Sequence, residues 1–199
     1  MKPIIKFIPI CLCIVVITNC TVLAPTKNTE VQNYLIAQVT ANQKCTTYGV
    51  KSIYIREVTS SQPYNTNNML YSYSPYSIQK YTSSQWAALP DTSITQGIAT
   101  QLQNDCVFNV YKSDIYTHTD YMLTTKIITL QQTIDNNNDT KNILTLDVSL
   151  INTTTYKIQN KQFTKISYTE AGPQNLAIGT SQNLKDLTKE ISEWVKAAK

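Results

Sequence analysis

Five of the chain's thirteen tyrosines fall between residues 64 and 81, and Trp86 follows closely. Their large rings need shielding from water and their polar tips need partners, so such a cluster suits a half-buried seam. The segments on either side limit where that seam can lie. A turn signal runs from Pro63 to Asn68, a short strand begins at Met69, and Pro90 with Asp91 opens a helix. Strand, turn, strand, aromatic loop and helix, in that order, constrain how every other segment packs. Within the cluster, Tyr71, Tyr73, Tyr81 and Trp86 have two readings. As core they seal the helix against the sheet; as interface their outward members form a docking rim, aromatic rings being enriched at binding hot spots. Neighbours along a strand face opposite ways, so different members can satisfy each reading.

The remaining segments follow the same logic. Residues 33–39 read as a strand, and residues 52–58 as another that sends Ile53, Ile55 and Val58 toward the core. Beyond Asp91, the expected N-cap, Ile94, Ile98 and Leu102 stand four apart and make one apolar stripe of a helix. Gly97 costs ~1 kcal/mol against Ala there, which suggests that this helix approaches a sheet closely. Residues 106–111 read as a strand and 121–134 as a long one. After an Asn-rich turn at 135–139, Leu144, Leu146, Val148 and Leu150 alternate with Thr145, Asp147 and Ser149, the pattern of a half-buried strand. Residues 156–168 return as the third strand of an antiparallel meander. Residues 173–199 form a helix, with Leu184, Leu187, Ile191 and Trp194 at helical spacing. The expected fold is α/β: a two-layer sandwich, its mostly antiparallel sheet of about six to seven strands carrying two helices on one face.

With 199 residues, 42% hydrophobic and 15% charged, the chain fits one globular domain. It is preceded by a segment that reads as a signal. Lys2 and Lys6 lead into an apolar run at 7–17, too short to span a bilayer, which needs about 20 apolar residues. Residues 1–19 are expected to be a removed signal, the other readings being an uncleaved anchor helix or a signal cut elsewhere; residues 20–32 then read as a flexible tether and 33–199 as the domain. Loss of the two lysines leaves 15 Lys and Arg against 13 Asp and Glu. That near-neutral balance argues against nucleic acid as a partner, which calls for clustered cations.

The turn at Tyr64 and Asn65, then Met69 to Tyr71, Ile78 to Tyr81 and Trp86 to Pro90 before a helix, together resemble the ABC-type transport auxiliary lipoproteins, the PqiC-like proteins. Phe163, Ala171 and the run from Asn175 to Trp194 resemble that family's closing strand and helix. Residues 17–20 resemble a bacterial lipoprotein processing site, although Asn19 stands where Gly, Ala or Ser is usual. The resemblance implies acylation of Cys20 and, with Thr21 after it, placement on the periplasmic face of the outer membrane. Each buried methylene of the acyl chains contributes ~0.8 kcal/mol, and two chains already anchor a protein stably. The implied partners are an MCE-domain protein bridging the periplasm, an ABC permease and its ATPase, with assembly of this chain into a ring. Two other expectations are a periplasmic carrier of lipid in its own cavity and an outer-membrane activator of cell-wall synthases.

Catalytic chemistry finds little support. His118 is the single histidine, and no Gly-x-Ser-x-Gly turn exposes a nucleophile. Four glycines do not build a phosphate-cradling loop. Asp135 and Asp139 lack the Gly and terminal Glu of a calcium loop. No catalytic residue, metal or cofactor is expected. In an exported protein, Cys45 and Cys106 are either a disulfide or two buried thiols.

Overall fold

The computed structural model describes residues 30–41, 45, 49–112, 118–137 and 139–198. The expected signal sequence, Cys20 and most of the tether lie outside them. In chain order the elements are β1 (Gln32–Tyr34), β2 (Ser52–Ile55), β3 (Thr59–Ser60), β4 (Asn68–Ser74), β5 (Ser77–Trp86), α1 (Pro90–Asn104), β6 (Asn109–Tyr111), β7 (Tyr121–Ile134), β8 (Thr140–Asn152), β9 (Ile158–Tyr168) and α2 (Pro173–Ala198).

β7 is the spine of the sheet. Along one edge it pairs with β8 for its whole length, and β8 pairs with β9, giving the expected antiparallel meander. Along the other edge β2, β3 and β4 pair with it one after another, all parallel. β6 extends β2 and β1 extends β5, again parallel. The sheet is therefore mixed and nine-stranded, not mostly antiparallel with six or seven strands. A long central strand supplies enough unpaired backbone on one edge for several short strands, and parallel neighbours need no tight hairpin to bring them there.

Alternation decides which face the helices cover. Leu123, Ile127 and Leu130 of β7, Leu144, Leu146, Val148 and Leu150 of β8 and Phe163 of β9 are buried on one face. Leu184, Leu187, Ile191 and Val195 of α2 are buried with them in a single cluster. Burying such a side chain is worth about 1.5–3 kcal/mol. Gly97 does bring α1 close to a neighbour, but the neighbour is α2: a Cβ there would meet Leu184 at 3.2 Å. The close approach to the sheet belongs to Gly179, where a Cβ would lie 2.2 Å from Asn142 Nδ2.

Asp91 is not the N-cap of α1. Leu89 holds that position, and Asp91, one residue into the helix, accepts a hydrogen bond from Ser60 Oγ at 2.7 Å. At the other end Asp105 binds α1 to α2. Lys196 Nζ lies 2.8 Å from its carboxylate and Ser192 Oγ donates to it. Burial alone would raise the carboxyl pKa; the bonds from Lys196 and Ser192 outweigh burial and hold it below the usual range.

Residues 33–39 do not form one strand. The chain leaves the sheet after Tyr34 and straps over the helices, burying Ile36 and anchoring Ala37 N on Ser181 Oγ at 2.9 Å. Residues 52–58 likewise break into β2 and a separate stretch. The sulfurs of Cys45 and Cys106 are 2.00 Å apart, bridging the loop before β2 to the end of α1.

Candidate docking surface

Tyr71 and Tyr73 project from the same face of β4, and Tyr81 of β5 meets them. The Tyr71 ring centroid is 5.4 Å from Tyr73, edge-on, and 4.5 Å from Tyr81. The Tyr71 hydroxyl donates to Gln79 Oε1 at 2.8 Å, and the Tyr81 hydroxyl donates to Gln132 Oε1. Burial pushes the Tyr81 phenol up to about 12, Gly172 N–H opposing, so it stays a neutral donor at physiological pH. Exposure grades outward. Trp86 is 1% exposed and belongs to the core, Tyr71 and Tyr81 are half-buried, and Tyr73 is 55% exposed. The β4–β5 turn adds Tyr76, 95% exposed, and the start of β5 adds Ile78. Three of the four aromatic residues thus meet at one seam, while Trp86 lies in the interior.

Behind the rings is a buried amide network absent from the sequence reading. Gln132 is fully buried; its Nε2 donates to Asn142 Oδ1 at 2.9 Å, and its Oε1 accepts from Gly172 N at 2.9 Å. Asn142 Nδ2 donates to Thr169 Oγ1 at 2.8 Å, while Asn183 Nδ2 donates to the Asn142 carbonyl at 2.9 Å. Gly172 has φ +130° at the entry to α2, a conformation that favours glycine. Paired amides in low dielectric hold their geometry firmly, because breaking one bond leaves a buried polar group unsatisfied. The network ties β5, β7, β8 and α2 together and gives the rings a rigid base.

A groove of about 720 Å³ runs between the strap and the outer side of α2. Leu35, Val39, Ala177 and Ile178 give it an apolar wall, and Lys185 and Lys189 lie at its basic end. It is a groove and not an enclosed cavity.

His118 is exposed. Asp135 Oδ1 accepts from Asn137 N and Asp139 N, both at 2.9 Å, as a turn-forming side chain does. No group of three His, Cys, Asp or Glu able to hold a metal ion occurs among the described residues. No helix among them is long and apolar enough to cross a membrane.

The domain is of α/β architecture, with a ring-edged rim on a buried polar network and an open groove between the strap and α2. The sequence pattern of the ABC-type transport auxiliary lipoprotein component matches residues 34–192, and the chain belongs to that family. Solved structures share the fold. Protein XCC0632 from Xanthomonas campestris is 12% identical, with a TM-score of 0.71 over 83% of this chain and 94% of that one. An uncharacterized protein is 11% identical, with a TM-score of 0.64 over 83% and 99%. The hypothetical protein CT253 from Chlamydia trachomatis is 7% identical, with a TM-score of 0.51 over 74% and 99%. No curated protein matches the chain.

Proposed function

We propose that the protein is the non-enzymatic, lipid-anchored accessory of an MCE and ABC-type lipid transport system. Acylated Cys20 holds it to the periplasmic face of the outer membrane, the residues between Cys20 and β1 act as a leash, and the domain receives the far end of the periplasm-spanning component. The observation that carries this reading is the family match across residues 34–192, which begins shortly after the lipoprotein-like cysteine. The exposed rings of Tyr73 and Tyr76 support contact with a protein partner, since Tyr offers large area at low entropic cost. Transport energy comes from the ATPase elsewhere, and self-assembly into a ring multiplies the rim around the receiving site. Affinity capture of the tagged protein from solubilised membranes tests the reading. An MCE-domain protein with its permease and ATPase is the expected catch, whereas cell-wall synthases alone contradict it.

A further inference from the structure

We propose that the groove between the strap and α2 is the surface that lies on the bilayer. It seats an anionic phospholipid of that bilayer, with the acyl chain against Leu35 and Ile178 and the phosphate at Lys185 and Lys189. The inference rests on the acylation of Cys20 proposed above.

Three observations converge on this face. The first is apolar exposure: Leu35 is 69% exposed and Ile178 54%, and both line the groove. More than half of each residue's surface is open to solvent, so both can enter the interfacial layer of a membrane. The second is charge. The groove lining includes Lys185 and Lys189 and no carboxylate, and neither lysine forms an ion pair among the described residues. Of the carboxylates on α2, Glu190 is paired with Lys165 and Asp186 accepts from Gln182 Nε2 at 2.9 Å; Asp186 and Glu193 stand one turn before and after Lys189, which leaves Lys185 the less screened of the two lysines. Two lysines with flexible apolar stems suit headgroup phosphates, and together they favour an anionic surface about 30-fold.

The third is chain length. Ten residues separate Cys20 from Glu30, which reach at most roughly 36 Å when extended. Only β1, three residues long, stands between that stretch and the strap, so the strap is among the parts of the domain closest along the chain to the acylated residue. It is also fixed: Ile36 is 3% exposed, Ala37 N bonds Ser181, and Asn104 Nδ2 donates to the Thr40 carbonyl at 2.9 Å. The apolar side chains Ile158, Ile166 and Tyr168 on β9 are also exposed. They alternate with buried Phe163 and so lie on the sheet face away from the helices and the groove.

The test uses the mature acylated protein in vesicles of phosphatidylethanolamine and phosphatidylglycerol containing brominated lipid. Emission of Ile178→Trp, corrected for Trp86 and Trp194, should fall about two-fold as an interfacial ring meets the bromines. Ile166→Trp should be unaffected. Adding Lys185→Glu and Lys189→Glu to Ile178→Trp should weaken the quenching. Quenching no greater than that of Ile166→Trp in an acylated, vesicle-bound protein overturns the groove assignment and leaves the anchor intact. Protection of Ile178→Trp by an envelope protein without lipid quenching assigns the face to that partner and also overturns it. A mature chain whose intact mass carries no acyl groups on Cys20 overturns both this inference and the anchoring from which it starts.

Discussion

Trp86→Ala should destabilise the domain by about 3–5 kcal/mol, the range for emptying a large buried aromatic site. For a domain of this size each kcal/mol moves Tm by roughly 2–4 °C, so a fall of about 10 °C is expected in a thermal melt. The reason lies in where the ring sits. Trp86 is 1% exposed at the last position of β5, opposite Tyr34 of β1, and its backbone N–H donates to the Asn67 carbonyl at 2.7 Å. The cavity left by Ala opens where the strap, β5 and the helices meet, and packed cores relax only partly around such voids. Trp86→Phe should recover most of the loss, because the indole N–H is buried without a hydrogen-bond partner and losing it forfeits no bond. Tyr73→Ala, at a 55% exposed ring, should stay within about 0.5 kcal/mol of the parent. Equal losses for Trp86→Ala and Tyr73→Ala would mean that the division between core and rim is wrong.

Reduction of the Cys45–Cys106 bridge is the second large effect. The bonded residues are 61 apart in sequence, and in the chain-entropy model closing such a loop disfavours the unfolded state by ~4 kcal/mol. A thiol reductant should therefore lower Tm by about 8–16 °C. The Cys45→Ser, Cys106→Ser double variant should melt at the reduced protein's temperature and ignore the reductant. Within the fold the bridge joins the end of α1 to the segment before β2, near Gly49, whose N–H donates to the Cys106 carbonyl at 3.1 Å. Two titratable thiols in the mature native protein, or a Tm indifferent to reductant, would contradict the bridge.

Legibility in the sequence followed the length of the repeating pattern. β7 was expected at 121–134 and lies there: a fourteen-residue run without Gly or Pro is long enough to read as one strand, although a bulge between Ile127 and Thr129 resets its alternation. The meander and α2 were readable for their length as well. Short parallel strands were not. β3 has two residues and β1 three, too few for any periodicity, and their pairing with distant strands is a tertiary choice. The strap was hidden because the apolar run from Tyr34 to Ala37 suits either a strand or an extended segment crossing helices. The amide network left a signal that was passed over. Gln132 falls between Leu130 and Ile134, and Asn142 two residues before Leu144, so alternation alone places both amides on the apolar face. Polar residues at such positions call for buried partners. Of the aromatic set, the sequence marked the residues but not their orientation, which depends on where β5 ends.

Photo-cross-linking in intact cell envelopes tests the central claim most directly. A photoreactive phenylalanine analogue in place of Tyr73 should cross-link to an MCE-domain protein, and the same analogue in place of the exposed Tyr156 (81% exposed) should not. Cross-links from the Tyr73 position to a cell-wall synthase, with none to an MCE-domain protein, would contradict the account.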